Sequence, residues 1–284
     1  MILSRLNRRL LLATPLVLAI VLAIATDAQA KDPKEIVIGT SAGPYADQVR
    51  LGIKPILEKQ GYKVRIVEFN DYIQPNFALA EGALDANVFQ HVTYLNRFAA
   101  QHKLAIAELV KVPTAPIAIY SRRHQRLDLV KNGSTVALPN DPTNQARALV
   151  MLDQLGWIKL RPGVDPIRAS ERDVAANVKG IKLLPLEAAQ LPRSLQDADY
   201  AFVNGNYALA SGLKLRDALR TEKISPAYAN LVAVRSIDRD KPFARDLAAA
   251  YKSRAFLDVT NKHFADYAKT DDQLALQAPA AGAK

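Results

Sequence analysis

Two polar side chains near the start of a predicted helix, Asn144 and Arg147, have the types and the spacing to bind an anion. The helix start is well marked, because Asp141 is a favoured N-cap residue and Pro142 suits the first helical position. Residues three apart share one helix face, and the first turn offers unpaired N–H groups at the positive end of the helix dipole. Arg147 adds a planar set of donors that matches a carboxylate. On this pattern alone, a capped helix with a solvated arginine is an equally good interpretation.

Two further groups of side chains follow predicted strands and could line a pocket. The first group combines aromatic rings with an imidazole: Tyr72, Phe89, His91 and Tyr94. Such a wall suits a flat or thioether-bearing side chain, because sulfur–aromatic contacts contribute roughly 0.3–1.5 kcal/mol. The second group offers amides that can bind a carboxylate and an ammonium together: Asn204, Asn206 and Asn230. Core packing of the rings and turn chemistry of the asparagines are the alternative interpretations.

The string Gly39-Thr40-Ser41-Ala42-Gly43 matches the G-x-S-x-G pattern of a nucleophile elbow, so a serine hydrolase using Ser41 is the alternative function from the enzyme class. No strand or glycine-rich loop precedes it to build an oxyanion hole, and none of the four histidines has a compelling third partner. A Gly/Ser loop leading into a helix equally suits ligand binding. We therefore expect no catalytic residue, and the motifs typical of metal, nucleotide and dinucleotide sites do not occur, so we expect no metal or cofactor.

Composition narrows the class of protein further. A chain of 284 residues suggests two domains, and zero cysteines exclude disulfides, thiolate metal sites and lipid attachment at an N-terminal cysteine. The net charge of +10 is spread singly or in pairs among acids, which disfavours nucleic-acid binding. Residues 1–30 have the basic, apolar and small-residue regions of a secretory signal peptide. We expect a soluble, monomeric, periplasmic protein without a lipid anchor.

Predicted strands and helices alternate along the rest of the chain, which predicts an α/β fold. We expect two lobes, each an open, mostly parallel sheet flanked by helices, with the chain crossing between them near 112–119 and 225–232. The assignment by residue is a signal peptide at 1–30, a first lobe at 31–117 plus 232–270, a second lobe at 118–231 and a disordered tail at 271–284. A ligand is expected in the cleft between the lobes, beyond the carboxyl ends of the strands.

The same residues resemble the MetQ/NlpA family of methionine-binding proteins of ABC importers. The resemblance rests on strings that follow one another through nearly all of the chain after the signal peptide: 69–76, 85–94, 119–121, 139–149, 187–193, 204–208 and 225–230. It implies a two-lobed periplasmic-binding-protein fold that closes on an amino acid, usually L-methionine, and delivers it to an inner-membrane permease with its ATPase. Binding of a different amino acid or a small dipeptide is the alternative within this class.

The resemblance also implies roles for individual side chains. Arg147 would hold the ligand carboxylate, assisted by Asn144. Asn204 and Asn230 would bind the ligand's α-substituents, and Asn206 is a weaker candidate for the same role. The pocket for the ligand side chain would be lined by four rings: Tyr72, Phe89, His91 and Tyr94.

Overall fold

The computed structural model describes residues 34–278. The predicted signal peptide, residues 1–30, lies outside this range, as do residues 279–284 of the predicted tail. The described chain builds two five-stranded sheets and one two-stranded ribbon from twelve strands. The strands are β1 Glu35–Ser41, β2 Lys63–Phe69, β3 Ala86–His91, β4 Ile106–Lys111, β5 Ala118–Tyr120, β6 Thr135–Pro139, β7 Lys159–Leu160, β8 Val174–Ala176, β9 Lys182–Leu186, β10 Tyr200–Val203, β11 Arg220–Thr221 and β12 Asn230–Arg235.

The first sheet has the strand order β2-β1-β3-β12-β4. β1 pairs in parallel with both β2 and β3, whereas β12 runs antiparallel to β3 and β4. β1 is buried on both faces, because Ile36 and Ile38 belong to one core cluster and Val37 to another on the opposite face. Its β-branched residues are typical of a parallel strand that is covered on both faces.

The second sheet has the order β11-β5-β10-β6-β9. β6 is parallel to β10 and β9, whereas β5 is antiparallel to β10 and β11. Its central strand is again two-sided: Tyr200 and Phe202 pack in one cluster, and Ala201 and Val203 in another. The first sheet thus has one reversed strand, β12, and the second has one, β5. Each of these strands follows a segment in which the chain crosses from one sheet to the other. The predicted fold class of two mostly parallel α/β sheets is confirmed.

Helices cover these sheets and connect their strands. They span Pro44–Gln48, a π-helical turn Val49–Ile53, Lys54–Lys59, Gln74–Ala80, Val92–His102, Pro142–Gln154, Leu191–Ser194, Gly205–Ala210, Pro242–Lys252, Arg254–His263 and Asp271–Gln277. None of the helices within residues 34–278 has the length and apolar character needed to cross a bilayer. The helix that starts at Pro142 has the predicted N-cap, since the Asp141 carboxylate accepts from the Asn144 backbone N–H.

Two sequence-based boundaries differ from the structure. The predicted disordered tail begins at 271, but Asp271–Gln277 is a helix. The Thr270 hydroxyl caps it by accepting from Gln273 N, and the buried Gln273 amide donates to Thr260 Oγ1 at 2.8 Å, which docks it on the preceding helix. In addition, the predicted boundary between the lobes, 231/232, falls inside β12, which begins at Asn230. Asn230 pairs with His91 of β3, and its N–H donates to Thr114 Oγ1. Asn230 therefore belongs to the first sheet.

Candidate functional site: a pocket between the two sheets

The eight candidate residues from the sequence line one cavity between the two sheets. The first sheet and its connections contribute Tyr72, Phe89, His91, Tyr94 and Asn230, and the second contributes Asn144, Arg147 and Asn204. The cavity is also lined by residues outside that set: Tyr45, Gln90, Ala115, Gly205 and Asn206. The strands β1, β2 and β3 are parallel, so residues at and just beyond their carboxyl ends meet at one edge of the sheet.

The guanidinium of Arg147 lies buried in the cavity wall, with 5% of the residue exposed. Its Nε donates to Glu222 Oε2 at 3.1 Å, its Nη2 donates to Glu222 Oε1, and its Nη1 donates to Asn144 Oδ1 at 2.7 Å. The group is also 4.9 Å from the centre of the Tyr228 ring. Burial alone lowers the pKa of Arg147, but the facing carboxylate of Glu222 raises it overall, so the group stays charged.

Three hydrogen bonds leave two of the five guanidinium N–H groups, one on each terminal nitrogen, for another acceptor. Arg147 is the one lining side chain in the described cavity that carries a charge at neutral pH, given a neutral His91. A pair of N–H groups on the two terminal nitrogens is the arrangement that binds a carboxylate through both of its oxygens. Arg147 therefore keeps the N–H groups that the predicted anion-binding role would use.

Asn144 organises the polar end of the pocket through a single oxygen. Its Oδ1 accepts from Arg147 Nη1, from Asn204 Nδ2 at 2.9 Å and from the ring of His91 at 3.3 Å. Its amide nitrogen donates to Asp141 Oδ2 at 2.9 Å, so the N-cap carboxylate determines which way the amide faces. Asn144 thus holds three other lining residues in place.

His91 is a neutral imidazole with a defined tautomer. Its Nδ1 accepts from the Tyr94 backbone N–H at 3.1 Å, so Nε2 carries the proton and donates to Asn144. Burial lowers the pKa of His91 well below the usual value of 6.5, and the nearby charge of Arg147 lowers it further. The histidine therefore adds a donor to this network and no charge.

The opposite wall of the cavity is aromatic. The Tyr72 ring stacks on Phe89 with centroids 5.6 Å apart, and the Tyr94 ring meets both edge-on at 6.1 Å. Tyr94 OH donates to the Tyr72 carbonyl at 2.9 Å, which fixes the turn after β2 against the Val92–His102 helix. Tyr72 also contacts the Tyr207 ring at 5.0 Å, across the cleft. Rigid rings of this kind accept an apolar or thioether group.

The asparagines supply acceptors and close the cleft. Asn204 Oδ1 is buried and has no hydrogen-bond partner among residues 34–278. The Asn230 amide nitrogen donates to the Phe89 carbonyl at 3.1 Å, which leaves its oxygen as an acceptor. Asn206 joins the two sheets, because its Oδ1 accepts from Tyr72 OH at 2.6 Å and its Nδ2 donates to Ser41 Oγ at 3.2 Å. The weaker sequence candidate, Asn206, is therefore a bridge across the cleft.

Ser41, the nucleophile of the alternative hydrolase hypothesis, ends β1 and is fully buried. Its hydroxyl accepts from the amide of Asn206, and no histidine hydrogen-bonds to it within the described residues. A buried serine held by an amide lacks the general base that would activate it. Within residues 34–278, no group of three or more histidine or acidic side chains is arranged to hold a metal ion.

The sequence does not indicate site roles for Glu222, Tyr228 and Tyr45, because each reaches the site through tertiary packing. Tyr228 does lie in the string 225–230, but that string gives this ring no role.

Gly205 follows Asn204, and this pair is typical of a turn when only the sequence is considered. The structure places it at the start of a helix, where a Cβ atom would lie 2.5 Å from Ala115 Cβ. Glycine is therefore needed because the first crossing segment passes directly over this helix.

One end of the pocket thus offers a buried cation and amide oxygens, and the other end offers rings. This arrangement matches a small zwitterion with an apolar tail: a carboxylate for Arg147, an ammonium for the amide oxygens and an apolar group for the rings. Catalysis would need a nucleophile or an acid–base pair facing the cavity. The described lining residues include no acid, serine or threonine.

Comparison with known proteins finds a matching family model and similar relatives. A family model described as NlpA lipoprotein matches residues 36–273. The D-methionine-binding lipoprotein MetQ of Salmonella typhi is 39% identical over 237 residues, which are 82% of this chain and 87% of that protein. The prediction of a form without a lipid anchor stays a prediction.

Comparison with solved structures indicates the same family. A nutrient-binding protein from Burkholderia cenocepacia bound to methionine is 42% identical with a TM-score of 0.77, and covers 81% of this chain and 97% of its own. A methionine-binding protein, MetQ, is 37% identical with a TM-score of 0.80, and covers 84% of this chain and 99% of its own. The predicted family is confirmed: this chain belongs to the NlpA lipoprotein family, whose members include MetQ substrate-binding proteins.

Proposed function

We propose that this protein binds methionine between its two lobes and delivers it to an ABC importer. The observation that carries the proposal is the buried guanidinium of Arg147, which keeps two N–H groups for a carboxylate and faces a wall of stacked rings. The names of the relatives, which include D-methionine-binding proteins and a structure bound to methionine, support the same ligand.

In this proposal, each lining side chain has one task. Arg147 binds the carboxylate of methionine, and the amide oxygens of Asn204 and Asn230 accept from its ammonium. Asn144 holds Arg147 and Asn204 in register and contributes to affinity through them. The thioether chain lies against four rings: Tyr72, Phe89, His91 and Tyr94.

The setting of this function is also part of the proposal. We place the protein in the periplasm as a monomer, with residues 31–117 plus 232–270 and 118–231 as lobes that close on the ligand. Asn230 and Leu231, which pair with the first sheet, are the exceptions to that division. The loaded protein would bind an inner-membrane permease that works with an ATPase. Osmotic-shock fractionation and sedimentation test the location and the monomeric state.

Mass spectrometry of the small molecules released on denaturing the purified protein tests the ligand. We expect methionine, because a closed cleft that buries both charged groups releases its ligand slowly. Calorimetry with refolded, ligand-stripped protein then compares L-methionine, D-methionine, leucine and a methionine-containing dipeptide. Tighter binding of L-methionine than of the other three supports the prediction. If leucine or the dipeptide bound most tightly, that compound would replace methionine as the proposed ligand.

The variant Arg147→Ala tests the proposed carboxylate site. Truncating one partner of a buried charged pair costs about 2–5 kcal/mol of affinity, which weakens binding by roughly 30-fold to several thousand-fold. Arg172→Ala is the control, because Arg172 lies in a short exposed turn away from the cavity. Methionine affinity that is unchanged in Arg147→Ala would contradict the assigned carboxylate site.

A further inference from the structure

Glu222 lies behind Arg147, outside the set of lining residues, and is held there by the backbone. It directly follows β11, and its N–H donates to the Ile117 carbonyl at 3.0 Å. Its Oε1 accepts from the Ile117 N–H at 2.8 Å, so the backbone and the carboxylate of Glu222 are both bonded to Ile117, the residue before β5. Only 7% of the Glu222 side chain is exposed, against 4% for Arg147.

The two side chains form a buried ion pair in which charge and hydrogen bonds are matched. Both carboxylate oxygens of Glu222 accept from Arg147, through Nε and Nη2. The guanidinium therefore faces the cavity as the outer half of a neutral pair. A lone buried cation would present a full positive charge to any ligand, whereas this pair presents mainly N–H donors.

The other groups near the polar end do not restore a net positive charge. His91 is neutral, since burial keeps its pKa well below 6.5. Asp141 is negative, and its carboxylate caps the positive end of the Pro142–Gln154 helix. A ligand carrying only a carboxylate would therefore bury one negative charge without compensation, which is costly. A ligand carrying an ammonium beside the carboxylate adds no net charge.

We propose that Glu222 makes the site selective for zwitterionic amino acids over simple carboxylates of the same shape, by cancelling the charge of Arg147. This inference rests on the proposed amino-acid-binding function and names a specificity-determining residue for it. Glu222 acts through Arg147 and is a positioning residue, because it does not line the cavity. Its effect should therefore appear in the ratio of two affinities.

The test compares methionine with 4-(methylthio)butanoate, which is methionine without its ammonium group. Both ligands are titrated calorimetrically into stripped wild-type protein and into Glu222→Gln at pH 7. We expect the wild type to favour methionine by about 100-fold or more, because the bare carboxylate leaves a buried charge unpaired. We expect that ratio to fall at least tenfold in Glu222→Gln, since Arg147 then attracts a bare anion and repels the ammonium.

Two further variants separate this effect from a loss of structure. Glu222→Asp keeps the charge with a shorter side chain, so both affinities fall while their ratio stays within threefold of the wild type. Glu58→Gln removes an exposed carboxylate on the Lys54–Lys59 helix and should change neither affinity. Circular dichroism and melting curves confirm that each variant is folded.

The outcomes distinguish this inference from the function on which it rests. A folded Glu222→Gln with the wild-type ratio overturns the inference and leaves methionine binding intact. Equal affinities of the wild type for the two ligands would also overturn the inference and leave methionine binding intact, before any variant is made. A wild type that binds neither ligand overturns both proposals.

Discussion

The pair formed by Arg147 and Glu222 predicts that one substitution weakens the protein in two separable ways. Arg147→Ala removes the ligand's carboxylate site and also leaves Glu222 buried without its partner. Breaking a buried ion pair by removing one member costs about 3–5 kcal/mol of unfolding free energy. For a chain of this size each kcal/mol shifts the melting temperature by roughly 2–4 °C, so the stripped variant should melt about 6–20 °C below the wild type.

A double variant separates stability from binding. Arg147→Met with Glu222→Leu replaces both charges by apolar groups, a change that is often neutral or stabilising. The Ile117 N–H then loses its 2.8 Å acceptor, which costs about 1–3 kcal/mol. We therefore expect the double variant to recover about half of the lost melting temperature. It should still fail to bind methionine, because no cation remains in the cavity.

Scanning calorimetry on stripped proteins measures the stability, and isothermal titration measures the binding. Glu58→Gln again provides a control for a change of one charge at the surface. A stripped Arg147→Ala protein that melts with the wild type would show that the ion pair is not buried as described. A double variant that binds methionine normally would refute the role of the guanidinium.

Three more substitutions test other parts of the pocket. Tyr72→Phe removes the 2.6 Å hydrogen bond to Asn206 and keeps the ring, so calorimetry should show methionine affinity about fivefold weaker. An affinity equal to that of the wild type would exclude a role for this bond in closure. Phe89→Ala removes a ring stacked on Tyr72, so competition titrations should show a smaller preference for methionine over alanine. An unchanged preference would argue against binding of the ligand side chain by the aromatic wall. The folded-state pKa of His91 lies well below 6.5, so the unfolded chain binds the extra proton and stability is lost as pH falls below about 6.5. Urea titrations at pH 7 and pH 5 should show this loss, at up to about 1.4 kcal/mol per pH unit, and a smaller loss in His91→Gln; equal losses in both proteins would contradict a buried neutral histidine.

The sequence predicts those parts of the site that local chemistry determines. Asp141 and Pro142 mark the helix start, and the spacing of Asn144 and Arg147 places both on one face near its first turn. Residues at and just beyond the ends of β2 and β3 meet because parallel strands share an edge, which brings Tyr72 and Phe89 together. These features depend on a few neighbouring residues and on one rule of sheet topology.

The parts that the sequence does not predict depend on distant segments. Glu222 is 75 residues from Arg147, and nothing near Glu222 in the chain indicates a buried ion pair. The helix at Asp271–Gln277 is stabilised by the contact between Gln273 and Thr260, which an alanine-rich composition does not reveal. The need for glycine at position 205 is also not predictable from nearby residues, because its close approach to Ala115 follows from the path of the first crossing segment.

The central claim is that Arg147 binds the carboxylate of the ligand while the rings of the first lobe hold its thioether. Crystals of protein with ordinary methionine residues, grown with free selenomethionine, test this directly, because the anomalous signal locates the selenium of the ligand. We predict one selenium peak against the rings of Tyr72, Phe89 and Tyr94, with the ligand carboxylate about 3 Å from both terminal nitrogens of Arg147. A ligand bound the other way round, or selenium outside this cavity, would contradict the claim.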